Sequence, residues 1–178
     1  MRFTPYSYTP YQGQKLGGKI AGPLLILLLG VGLGVLSKWS DSHMAAWFAE
    51  ITGGVSLWIL LGTVIALYSR TAGKAALNVL LFLGGMVAAY CLTAVLTNSV
   101  WGTGFLIGWG IAVLLSPLAG YLVWFAKGKS KWAWILSAGV LVVQLVLVIV
   151  LFRRVRISDI VMILLTAAVL LVDKFGRR

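Results

Sequence analysis

Twenty consecutive residues, Ala133 to Phe152, carry no charged side chain, and that run constrains the fold more than anything else in the chain. At about 1.5 Å per helical residue it is about 30 Å long, the thickness of a bilayer's hydrocarbon core. Backbone groups in lipid find no water to bond, so such a run crosses as an α-helix. It ends in FRRVRISD, Phe152 to Asp159, with three arginines in four positions. A charge at the bilayer centre costs about 2.5–3.5 kcal/mol even on the lower scales. This stretch is therefore expected to be a turn at the membrane surface.

Five further apolar runs repeat the pattern at Ile20–Ser37, Ile51–Ser69, Ala75–Thr97, Thr103–Ala126 and Ile157–Val172. With 61% hydrophobic and 11% charged residues and a mean hydropathy of +1.01, the composition lies far from that of soluble domains. The expectation is an all-α, polytopic membrane protein with six transmembrane helices. A tail (1–19) containing two Thr-Pro-Tyr repeats precedes a single transmembrane domain (20–173), and a short tail (174–178) follows it. The first run is too long for a signal segment and lacks a clear small-x-small cleavage site, so it is read as retained. The last run has 16 residues, about 24 Å of helix, and spans by thinning the bilayer or by snorkelling at its ends.

Orientation follows from the loop charges. With six crossings and an inner N-terminus, eleven of the 15 Lys and Arg residues fall inside, and Lys38, Arg153, Arg154 and Arg156 fall outside. The excess puts both termini in the cytoplasm, and the reading is a multi-pass protein of the bacterial cytoplasmic (inner) membrane. The net charge of +11 comes from small basic groups between apolar runs, which form no continuous face for nucleic acid.

Enzyme chemistry finds little footing here. The acids Asp41, Glu50, Asp159 and Asp173 all fall at helix ends or in loops, so no aspartyl dyad forms at depth. His43 is the single histidine, which forbids a His-Glu-x-x-His zinc site and leaves Ser56 and Ser116 without a base. No glycine-rich phosphate loop is present. No catalytic residue, cofactor or metal is expected.

Uncharged polar residues remain inside the runs. Gln144 lies near the middle of the fifth helix, at a depth similar to Ser116-Pro117 in the fourth. Proline there frees the carbonyl of Val113, an expected partner for the Gln144 amide, and marks a midplane site at a broken helix. On the outer side Arg153 and Arg156, three apart, are expected to converge on one anion, with Asp159 orienting Arg156 and with Asn98, Trp101 and the aromatic loop 38–50 nearby. Gly30 and Gly34 form a flat face for a neighbouring helix, in this chain or in another subunit.

The blocks LLGTVIALYSRTAGKAALNVLLFLGGMVAAY (Leu60–Tyr90) and GWGIAVLLSPLAGYLVWFAKGKSK (Gly108–Lys131) resemble an uncharacterised family of small bacterial six-helix membrane proteins. The features in common are Ser69-Arg70 before Ala75-Ala76-Leu77-Asn78, Ser116-Pro117, and the Trp124 to Gly128 exit. In size, helix number and a first helix rich in small residues, the chain also resembles the substrate-binding S components of energy-coupling factor transporters, without a shared motif. These likenesses imply a small-solute-binding membrane protein, a transporter or the membrane-embedded binding subunit of one, with a small, anionic ligand. The alternative is an interaction protein that meets a membrane partner through its first helix while its arginines bind lipid phosphates.

Overall fold

The structure is a computed structural model that describes residues 16–43, 46–99 and 102–175. Helices follow one another as α1 (Leu16–His43), α2 (Ala46–Thr52), α3 (Val55–Tyr68), α4 (Ala72–Leu96), α5 (Thr103–Trp124), α6 (Lys131–Phe152) and α7 (Ile157–Phe175), with no strand among the described residues. Four segments are long and apolar enough to cross a membrane: Ala21–Ser40, Ala72–Leu96, Leu106–Trp124 and Lys131–Phe152. Val55–Tyr68 and Ile157–Val172 are apolar but shorter. The Thr-Pro-Tyr tail and Trp101 lie outside the described residues.

The expected second helix is in fact two. Gly53 and Gly54 interrupt it, their amides turning back to Ala49 O at 2.8 Å and Ile51 O at 3.2 Å, and Trp58 Nε1 donates to Thr52 O at 2.9 Å. What remains as α3 has 14 residues, about 21 Å. It sits at the centre, packed against α4, α5, α6 and α7, and buries Ser56, Trp58, Gly62, Thr63, Ala66 and Leu67. A helix wrapped by other helices need not match the bilayer's thickness, and its irregular start is tolerated because Gly54 is buried in protein.

The first helix, by contrast, runs on past Ser37. Lys38 does not stop it, because the side chain is 6% exposed and Nζ lies 5.2 Å from the centre of the Tyr90 ring. Ser40 Oγ meets Ser37 O at 2.8 Å and Thr52 Oγ1 at 3.0 Å, fastening this end of α1 to α2. Lower down, α1 lies against α4 with no room for a β-carbon: one on Gly30 would collide with the carbonyl of Phe82, and one on Gly34 with that of Met86. From the α4 side, a Cβ on Gly85 would come within 2.8 Å of Leu27 Cδ1. The Gly30 and Gly34 face is therefore filled by this chain's own α4 rather than left for a partner.

Capping is local and follows the sequence. Thr71 Oγ1 accepts from Lys74 N, and Ser130 Oγ accepts from Ala133 N. At the far end of α4, Asn98 takes φ +47, while Asn98 N reaches Val95 O at 3.1 Å and Ser99 N reaches Ala94 O at 3.0 Å. This is a Schellman stop built on asparagine.

Candidate functional site

The break between α2 and α3 brings Glu50, Gly54 and Ser56 against the turn between α6 and α7. Arg156, just before α7, has a side chain only 11% exposed. Its Nε donates to Asp159 Oδ2 at 2.9 Å, its backbone N to the same oxygen at 3.2 Å, and its Nη1 to Glu50 O at 3.1 Å. The Asp159 bond to that backbone amide is the returning half of a capping box. Ser56 Oγ donates to Asp159 Oδ1 at 2.7 Å, so the carboxylate, almost fully buried, is bound on both oxygens. The guanidinium also lies 4.4 Å from the centre of the Phe152 ring and against Gly54, where a Cβ would sit 2.8 Å from Nη2.

The expected pairing of Arg153 with Arg156 on one anion is not the geometry found. Arg156 spends its fork on Glu50 and Asp159, while Arg153 is exposed and closes α6 with φ +52, its amide bonded to Ile149 O at 2.9 Å. Arg154 is the arginine that shares Glu50, at 3.6 Å from Oε1. The role foreseen for Asp159, orienting Arg156, is the one it fills.

Gln144 is fully buried and joins this cluster rather than the kink in α5. Its Nε2 donates to Ser56 O at 3.3 Å, and its Oε1 is buried without a hydrogen-bond partner. The Val113 carbonyl freed by Pro117 is taken by Ser116 Oγ at 2.8 Å, a hydroxyl three residues along the same helix, so α5 answers its own break. Ser116 and Gln144 thus form no common site. Asn98 is exposed and occupied with ending α4.

Beside the cluster, across Thr52 and Gly53, lies a cavity of about 90 Å³ lined by Ser37, Thr52, Trp58, Met86, Tyr90 and Trp109. Trp58 and Trp109 meet edge to face at 6.2 Å. Lys38 stands over the Tyr90 ring. The arrangement is an aromatic-walled pocket with hydroxyl groups on one side and a buried ammonium next to one wall. Sequence reasoning missed Lys38, Glu50 and Ser56. A signal for Glu50 was available: both acids of this end face three arginines, and buried cations need counter-charges. Ser56 had none, because its partner is 103 residues away.

Crossing-length helices around a buried polar centre define the chain as an all-α membrane protein. No family model, curated protein or solved structure matches it.

Proposed function

We propose that the chain is a small-solute-binding integral membrane protein, a transporter or the membrane-embedded binding subunit of one, and that its ligand is a small anion. The observation that carries this reading is the cavity walled by Trp58, Tyr90 and Trp109 with Ser37 and Thr52, closed on three sides and adjoined by Lys38. Small-molecule sites are concave, mostly apolar and furnished with a few placed polar groups. The ammonium of Lys38 replaces the arginines as the attraction for negative charge, since Arg156 is committed to two acids. In the same proposal the chain crosses six times, with α3 and α7 as the short crossings, both termini cytoplasmic and the cavity at the outer face. The positive-inside count supports that orientation. The rival reading, a scaffold docking through α1, loses its motive because Gly30 and Gly34 already face α4.

Ligand-dependent melting of the purified protein in detergent tests the reading, with formate, acetate, lactate and inorganic phosphate as probes. A ligand at a hundred times its Kd stabilises by about 2.7 kcal/mol. The expected result is a melting temperature that climbs with the concentration of at least one anion and stays flat in Lys38→Met and in Thr52→Val. A flat response of the wild-type protein to all four anions would sink the proposal.

A further inference from the structure

At the opposite end of the bundle, α1, α3 and α4 leave a groove of about 410 Å³ with Ile26, Val64 and Ile65 on its apolar side and Arg70, Lys74 and Asn78 on its polar side. Asn78 is 8% exposed. Its Nδ2 donates to Ser69 Oγ at 3.0 Å, and that hydroxyl gives its hydrogen to Ile65 O at 2.7 Å. Turning the amide round would not help, because the hydroxyl has no hydrogen left to offer. Asn78 Oδ1 is therefore a buried acceptor with no donor. Such an atom in a lining residue calls for a donor from outside.

The groove also has a charge gradient. Arg70 and Lys74 flank the start of α4, whose first turn contains no acid, so the mouth favours an anion. Asn78 lies one helical turn further in than Lys74, about 6 Å along the axis. A phosphate held at the level of Arg70 and Lys74 thus places toward Asn78 whatever joins it to its hydrocarbon chain. Head-group hydroxyl and ammonium donors lie on the wrong side of that phosphate, pointing to water. The glycerol of a diacyl lipid offers only ester acceptors at the right depth. A glycerol with one acyl chain offers a free hydroxyl there, and its chain continues past Ile26, Val64 and Ile65.

We propose that this groove binds a single-chain glycerophospholipid, a lysophospholipid, with its phosphate at Arg70 and Lys74 and its free glycerol hydroxyl donating to Asn78 Oδ1. Binding to the purified protein in detergent tests this with four probes: 1-oleoyl lysophosphatidylglycerol, its analogue lacking the glycerol hydroxyl, dioleoyl phosphatidylglycerol and glycerol 3-phosphate. The lysophospholipid should bind tightest. Loss of the hydroxyl should weaken it about tenfold, the weight of one good hydrogen bond. Diacyl lipid should bind at least as weakly as the deoxy analogue, and glycerol 3-phosphate should not saturate at a hundred times the lysophospholipid Kd. Arg70→Gln with Lys74→Gln, both exposed positions, should weaken the lysophospholipid and the deoxy analogue by the same factor. Equal affinity for the hydroxyl and deoxy compounds, or no binding of either, would overturn the proposal. Glycerol 3-phosphate binding as tightly as the lysophospholipid would overturn the lipid assignment, and undiminished binding by the double glutamine variant would overturn the phosphate position.

Discussion

Two arginines three positions apart behave differently at the residue scale. Arg153 holds a left-handed backbone conformation that costs a side-chain-bearing residue about 1–2 kcal/mol. Arg153→Gly should therefore leave thermal stability unchanged or raise it. Arg156→Lys keeps the charge but loses the fork that spans Glu50 and Asp159, and Asp159→Ala strands a mostly buried guanidinium and the Ser56 hydroxyl. Breaking a buried pair of this kind costs on the order of 3–5 kcal/mol, read as a lower melting temperature in detergent. Equal responses at Arg153 and Arg156 would contradict this division. The sequence marks FRRVRISD as a polar turn because three arginines cannot stay in hydrocarbon. It does not mark which arginine is used, since the acceptor Glu50 O lies 106 residues away. The Ser116 bond is the opposite case: donor and acceptor are three residues apart, so local rules reach it.

Glycine placement governs the elements. Gly30→Leu together with Gly34→Leu should force α1 off the Phe82 and Met86 carbonyls, lowering the melting temperature while membrane insertion persists, because leucine is as apolar as lipid. Unchanged melting in the double variant would mean that the close approach contributes nothing. Close packing through these glycines is readable from their spacing, but the helix they meet is not. Gly53 and Gly54 also stand in plain view as a likely-looking break only once Glu50 and Arg156 are known to need room beside them; hydropathy alone runs straight across them. The end of α1 escapes a hydropathy reading for a related reason: Lys38 lies along the helix with its ammonium over Tyr90, so a charge that looks like a boundary is absorbed by an aromatic ring.

For the whole molecule, charge counting gives a direction that length alone does not, and thiol labelling checks it. In a Cys91→Ala background, Ser99→Cys should react with an impermeant reagent in intact cells, and Ser130→Cys only after permeabilisation. The reverse pattern would invert the proposed orientation. A 14-residue helix is unreadable as a crossing by length because that criterion assumes contact with lipid, and α3 is surrounded by protein. That central position has a consequence in time. Ser56 and Asp159 are separated by 103 residues, and at about 5–20 residues per second of synthesis the wait between them is about 5–20 s. During that interval α3 holds an unanswered hydroxyl, and Glu50 lacks the guanidinium that will cover it, so the nascent interior stays open to passing lipid and to membrane proteases until α7 emerges to seal it.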